Sequence, residues 1–550
     1  MKYILALLVL LLSLHAQAID DIKLKKMIGS MLIVGFDNQT INYNSQIVHD
    51  IQEYNLGGVI LFDKFYNERY RVKNILRPYQ LRQLTKQLQY FGDNKLFVGI
   101  DQEGGRVARL KPKYGFQKIP SAFKVAKLSN ANATKIYSSE AKMIHDEGIN
   151  LNFAPVVDLN LNPKNRVIVE LQRSYSQNPS KVVHYAKILI EAQKKEHIIS
   201  VLKHFPGHGS SLGDSHQGFV DISNTWSKEE LLPYKMLIEK DAADMIMTAH
   251  VFNSHLDAKY PATLSYNINT KLLRQKLGFG GIIVSDDMQM KAIAAHYSLK
   301  DAVTLAINSG VDILLFGNQL SYNSTKEIVE TIYMQVKNGS IPLKRVIEAN
   351  EKIANLHTKN AIIQKPITFT QNRIDMTKAY IKKHYGLKPK NIEITPKMIV
   401  LHWTAVMSFE DSFKRLQSEK LFSDRADIAK ASALNVSTHF LVDRDGTIYQ
   451  LMPDNWMARH VIGLNYCTIG VENVGGEENK KEDLTPAQVK ANIALIKYLK
   501  AKYPSIVHVI GHYEYREYEN SPLWLERDKG YRTQKLDPGE KFMHEVRSEL

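Results

Sequence analysis

Apolar runs of strand length recur along the first two thirds of the chain, separated by amphipathic stretches of helical length. They are Met31–Val34, Gly58–Leu61, Leu96–Ile100, Leu151–Ala154, Ile199–Leu202, Met245–Met247, Gly281–Val284 and Val311–Leu315. Continuous rather than alternating hydrophobicity suits parallel strands buried on both faces. Eight such runs alternating with helices between about Ile19 and Gln364 predict an α/β fold, a (β/α)8 barrel of the TIM type. An open, doubly wound sheet is the alternative. Ser227 followed by Glu230 gives a capping box before Leu231 and Leu232.

The pattern changes after Gln364-Lys365-Pro366. A helical stretch from Ile374 to His384 is closed by Gly386. Met398–Leu401, Thr468–Glu472 and Val507–His512 read as strands, and His439–Val442 with Thr447–Leu451 reads as a hairpin turning at Asp445-Gly446. Thr485-Pro486-Ala487-Gln488 opens a helix with a capping box and proline at its first position, and Val489, Ile493, Ile496 and Leu499 are expected on its inner face. The expectation is a mixed sheet flanked by helices. The boundaries that follow are a leader at 1–18, a barrel at 19–365, a linker at 366–373 and a second α/β domain at 374–550.

The leader is read from Lys2, the apolar run Ile4–Leu14 and Ala16-Gln17-Ala18, with cleavage after Ala18. That run is shorter than the roughly 20 apolar residues a membrane-spanning helix needs. No cysteine follows it to carry a lipid, so the mature chain is expected to be exported to the periplasm without a stable membrane anchor. At 550 residues, 44% hydrophobic and 23% charged, the chain is neither a disordered nor a fibrous protein. Its one cysteine, Cys467, excludes an intramolecular disulfide and a cysteine-based zinc cluster, so any metal must be held by His, Asp or Glu. The net charge is +15, yet from Glu393 onward there are 21 basic and 23 acidic residues. The excess belongs to the barrel and the join, where it suits an anionic glycan. No nucleic-acid-binding module is recognisable, so nucleic acid is not expected as a partner.

Barrel enzymes carry their chemistry where strands end. Here Asp101 follows the third run, Asp158 the fourth, Lys203 and His204 the fifth, His250 the sixth, and Asp286 and Asp287 the seventh. Any one of these would pass for a loop cap, but together they form a polar ring. The strings DQEGGRV from Asp101, RSYS from Arg173, KHFPGHG from Lys203, DSH from Asp214 and VSDDMQM from Val284 resemble glycoside hydrolase family 3, specifically bacterial β-N-acetylglucosaminidases of the NagZ type. The resemblance implies Asp286 as nucleophile and His216 as general acid/base, oriented by Asp214. Asp101, Arg109, Arg173, Lys203 and His204 would bind N-acetylglucosamine, with no cofactor. A histidine donor departs from the usual pair of carboxylates, an exchange that a negatively charged substrate would favour. Arg166 stands where the family is expected to have proline, and Glu170 is a further departure.

In the second region His402, Glu472, His512, Lys535 and Asp537 fall at strand ends. Two histidines and a carboxylate can hold zinc with one position left for water. A further carboxylate and a lysine can then serve as base and oxyanion partner. IVLHWTA from Ile399, STHFLVDRDGTIYQL from Ser437, TIGVEN from Thr468, VIGH from Val509 and KLDPG from Lys535 resemble the type 2 N-acetylmuramoyl-L-alanine amidases, related to AmpD and the peptidoglycan recognition proteins. The resemblance implies Zn2+ held by His402, His512 and Asp537, with Glu472 and Lys535 catalytic and His460 and Asn465 contacting substrate. The segment from His512 to Lys535 is longer than in compact members and is expected to wall the cleft with Trp524 and Tyr531.

Both resemblances point to one polymer. The expected activity is that of a bifunctional hydrolase of peptidoglycan or muropeptides containing N-acetylglucosamine, N-acetylmuramic acid and peptide, acting in wall turnover and recycling. The alternative is a glucosaminidase whose amidase-like region only binds the wall.

Overall fold

Each of the eight expected apolar runs forms a strand in the computed structural model, and all eight pair in parallel. They are β1 (Leu32–Gly35), β2 (Gly58–Leu61), β3 (Phe97–Ile100), β4 (Leu151–Asn152), β5 (Ile199–Phe205), β6 (Met245–Thr248), β7 (Ile282–Asp287) and β8 (Ile313–Phe316). Each strand pairs with its neighbours in sequence, and β8 returns to β1 to close the barrel. The structure describes residues 19–93, 95–215 and 218–550. The expected leader and the expected acid/base His216 lie outside the described residues. Among the described residues no helix is long and apolar enough to cross a membrane.

Two strands run further than their apolar stretches. β5 continues through Lys203 and His204 to Phe205, and β7 through Asp286 and Asp287. Their ladders stay hydrogen-bonded where the side chains turn polar, which hydropathy does not register. The register shifts between Leu202 and Phe205 on β5, and beside Asp287 on β7. Such irregularities re-aim side chains at a barrel rim. Ser227 caps a short turn at Lys228–Leu231 by accepting from Glu229 N at 3.3 Å. Glu230 is buried, and its carboxylate accepts from Gly209 N at 2.9 Å and Ser210 Oγ at 2.6 Å, fastening the loop after β5.

The chain divides into two units, ending and beginning at Leu356 and His357. The second holds a six-stranded sheet of β9 (Ile363–Gln364), β10 (Met398–Trp403), β11 (Phe440–Val442), β12 (Ile448–Gln450), β13 (Thr468–Asn473) and β14 (His508–Gly511). Their spatial order is β9-β12-β11-β13-β10-β14, and only the β11–β12 hairpin is antiparallel. Residues 366–373 pack onto this unit: Ile367 N donates to Leu451 O at 2.8 Å, and the buried Arg373 donates to Gln417 O at 3.0 Å. The helix that follows starts at Gln371, capped by Thr370, and runs through Tyr385 before Gly386 ends it at φ 68°.

The capping box at Thr485 forms as expected: Gln488 N donates to Thr485 Oγ1 at 3.1 Å and Thr485 N to Gln488 Oε1 at 3.0 Å. The helix it opens, α1 (Pro486–Lys502), buries Gln488, Asn492, Leu495, Ile496 and Leu499, while Val489 and Ile493 are half-buried. Two amides occupy the inner face because they serve the sheet. Gln488 Nε2 donates to Val474 O at 2.9 Å, and Asn492 Nδ2 to Asn473 Oδ1 at 2.7 Å.

Candidate active sites

The ends of the barrel strands surround a cavity of about 720 Å³. Asp101, Arg109, Arg173, Lys203, His204, Asp214 and Asp286 all line it, so every expected barrel residue that is described is brought together. Lys203, from β5, reaches two carboxylates on the loop after β3, Asp101 Oδ1 at 2.9 Å and Glu103 Oε1 at 2.7 Å. Arg109 Nη2 meets the other oxygen of Asp101 at 3.1 Å. Arg173 grips Glu103 with two parallel bonds of 2.7 and 2.8 Å, the bidentate geometry that fixes a guanidinium in place.

Burial opposes the charge on Asp101, Glu103, Arg173 and Lys203, but the partners outweigh it. Lys203 and Arg109 hold the Asp101 carboxyl well below the usual carboxylate range, and Arg173 and Lys203 do the same for Glu103. Lys203 is raised in turn by Asp101 and Glu103. His204 Nδ1 donates to the buried Asp158 at 2.7 Å, leaving Nε2 to accept from Arg173 Nη2 at 3.2 Å, so this network sets the ring's tautomer. Glu103 holds Arg173 and Lys203 in place and Asp158 holds His204, a role that the sequence did not assign to either. Glu103 lies inside the DQEGG string, and Asp158 follows the fourth apolar run, so both carried a signal.

Asp286 and Asp287 end β7 and line the cavity. Asp287 Oδ1 accepts from Gln289 N at 3.0 Å and Gly317 N at 3.1 Å. A β-carbon at position 317 would lie 2.6 Å from Asp287 Oδ2, so a larger residue there would push this carboxylate aside. Arg166 sits on a loop held by the buried Asn165, whose Nδ2 donates to His208 O at 2.8 Å. Arg69, Arg106 and Arg166 also line the cavity, and none is ion-paired with a carboxylate among the described residues.

In the second unit, a separate cavity of about 460 Å³ is lined by His402, His460, Asn465, Glu472, His512, Lys535 and Asp537, all of the residues expected there. Strand register explains the convergence. His402 on β10 pairs directly with Glu472 on β13, and His512 follows the end of β14, on the other side of β10. His402 Nδ1 lies 2.9 Å from His512 Nδ1 and 3.1 Å from Asp537 Oδ2, and His512 Nδ1 lies 2.9 Å from the same oxygen. Two ring nitrogens and a carboxylate oxygen so close together could hold a shared cation. The set matches a zinc site with an open position.

Burial pushes the Glu472 carboxyl up to about 7, with His402 opposing the shift and Asp537 adding to it. Its Oε2 is buried with no hydrogen-bond partner among the described residues. A carboxyl of this kind can exchange a proton near neutrality. Tyr531 lines the cavity as expected, whereas Trp524 packs behind it against Gly463 and beneath Arg532.

The chain thus combines a parallel barrel whose strand ends carry a ring of charged residues with a second unit whose sheet carries a His-His-Asp cluster. Residues 23–356 match the glycosyl hydrolase family 3 N-terminal domain, and residues 393–540 match the N-acetylmuramoyl-L-alanine amidase domain. The chain therefore belongs to glycosyl hydrolase family 3 and carries an N-acetylmuramoyl-L-alanine amidase domain in its second unit. It is 33% identical over 337 residues to beta-hexosaminidase A of Pseudoalteromonas piscicida, covering 56% of this chain and 54% of that one. It is 35% identical over 272 residues to a beta-hexosaminidase of Tolumonas auensis, covering 48% and 76% respectively. The crystal structure of a beta-N-acetylhexosaminidase from Beutenbergia cavernae superposes with a TM-score of 0.54 at 26% identity, covering 61% of this chain and 98% of that one.

Proposed function

We propose that the protein hydrolyses two bonds in peptidoglycan or its soluble fragments: the β-glycosidic bond after a terminal N-acetylglucosamine, and the amide joining N-acetylmuramic acid to the stem peptide. The observation that carries this reading is the presence of two separately assembled sites, one in a family 3 glycosyl hydrolase domain and one in an N-acetylmuramoyl-L-alanine amidase domain. The rim arginines Arg69, Arg106 and Arg166 favour a leaving group that carries carboxylates, as a muramoyl peptide does. The leader-like start of the sequence supports export to the periplasm, where wall turnover and recycling would supply the substrate.

In the barrel, Asp286 would attack the anomeric carbon while His216, oriented by Asp214, protonates the departing oxygen. Water would then release the sugar from Asp286, with His216 taking the proton back. Asp101, Lys203, Arg173 and His204 supply a fixed array of donors and acceptors for the sugar's hydroxyls and acetamido group. In the second unit, His402, His512 and Asp537 would hold Zn2+. Once bound there, the ion would lower the pKa of a water and polarise the amide carbonyl. Glu472, with its carboxyl raised to about 7 by burial, can accept the nucleophile's proton and pass it to the departing amine. Lys535 lines the same cavity and would face the developing oxyanion.

Product masses from one defined disaccharide-peptide test both halves. A chelator should stop release of the peptide and leave release of N-acetylglucosamine largely intact. Asp286→Ala should do the reverse. Peptide release that survives chelation, or loss of both activities in folded Asp286→Ala protein, would overturn the two-site reading.

A further inference from the structure

His460 lines the amidase cavity, yet its ring has no nitrogen to offer a substrate. Nδ1 lies 3.0 Å from His402 Nε2, and Nε2 lies 3.0 Å from Thr468 Oγ1. The residue is 8% exposed, and its ring meets that of His402 edge-on, with centroids 5.1 Å apart. The space for it is specific: a β-carbon at Gly470 on β13 would lie 2.7 Å from His460 Cγ. Asn465, which lines the same cavity, also holds the backbone here. Its Oδ1 accepts from His460 N and Val461 N, both at 2.8 Å, and its Nδ2 donates to Tyr385 Oη at 2.9 Å.

We propose that His460, backed by Thr468 and pinned by Asn465, is a positioning residue that fixes the tautomer and ring angle of His402 for metal binding. The inference rests on the zinc reading of the His402-His512-Asp537 cluster. His402 must present a bare Nδ1 to a cation, so its proton must sit on Nε2. That proton is then donated to His460 Nδ1, and the proton on His460 Nε2 goes to Thr468 Oγ1. In the opposite arrangement His460 would donate from Nδ1, moving the His402 proton to its own Nδ1. That proton would point at His512 Nδ1 and Asp537 Oδ2 and close the group to a cation. Partners that orient a ligating histidine in this way typically alter metal affinity by about 10–100-fold when removed.

The test uses the full chain, stripped of metal, with zinc affinity measured by competition against a chromophoric chelator and KM measured at saturating zinc. His460→Ala should weaken zinc binding by about 10–100-fold, with little change in KM. His460→Gln keeps an acceptor for His402 Nε2 and should recover part of that loss. Thr468→Val removes only the outer hydrogen bond at nearly constant volume and should weaken zinc binding by less than His460→Ala does. Far-UV circular dichroism establishes that each variant is folded, and Thr468→Val with His460→Gln carries the test if His460→Ala does not fold. Wild-type zinc affinity in the folded variants, with the loss confined to KM, would overturn the inference and return His460 to the substrate. If the wild-type chain itself bound no zinc, the zinc reading would fail, and the inference with it.

Discussion

In the proposed mechanism Asp286 and His216 would do different work on the glycosidic bond, and leaving-group chemistry separates them. Asp286→Ala should abolish release from both natural and activated substrates. His216→Ala should slow an activated aryl leaving group less than a sugar, because the aryl oxide needs little protonation to depart. Steady-state rates on the two substrates check this, and equal losses in His216→Ala would remove it as the acid. Glu140 makes a second prediction. It lies on the helix Asn130–Asp146, 1% exposed, and burial pushes its carboxyl up to about 8 while the Gln102 amide pulls the other way. The folded chain thus keeps a proton that the unfolded chain releases from pH 4.5 upward. Stability contributed by that proton is full below pH 4.5 and is lost as the pH rises towards about 8. The slope approaches about 1.4 kcal/mol per pH unit. Denaturant melts of Glu140→Gln at pH 5 and pH 8 should show that component of the slope gone. Most of the expected residues that line the two cavities are legible in the sequence because they fall within or beside the motif strings. Their partners are less so: the hydrogen bonds between His204 and Asp158 and between His402 and His460 join residues far apart in sequence.

At the scale of elements, the eight barrel strands are legible from apolar runs because a parallel strand covered on both faces must be hydrophobic throughout. Strand ends are not, since β5 and β7 carry their polar catalytic-face residues while still hydrogen-bonded to neighbours. The inner face of α1 escapes hydropathy for a related reason: Gln488 and Asn492 are buried because sheet carbonyls and an asparagine need their amides, and hydropathy ranks such residues as exposed. The capping box at its start is legible, being local chemistry. Thr485→Ala removes the bond to Gln488 N and also the one to Arg444 O at 2.7 Å. It should cost about 1 kcal/mol of stability, as lost N-caps typically do, read as a shift in denaturation midpoint at constant slope.

At the scale of the whole molecule, the positive charge separates from the amidase chemistry in sequence: the stretch from Glu393 onward is slightly acidic while the chain as a whole is +15. Composition places that excess in the first region but not at the cavity rim. Arg69, Arg106 and Arg166 come from three different loops and meet only once the barrel closes. Arg69 reads as ordinary surface charge in the sequence, whereas Arg106 lies inside the DQEGGRV string and Arg166 stands out as a departure from an expected proline.

The interlocked ring of Asp101, Glu103, Asp158, Lys203, Arg109 and Arg173 has three charges of each sign. Seen from a sugar seated among them it is close to a zero net source, and its members are too buried for mobile ions to screen well. The rim arginines are an open positive source in solvent. Ionic strength should therefore act as a selectivity dial. Added salt should leave KM for a neutral aryl N-acetylglucosaminide nearly constant while raising KM for a carboxylate-bearing fragment, with Arg166→Ala flattening the second response. In dilute surroundings the enzyme would discriminate among glucosaminides by the charge of the part it discards.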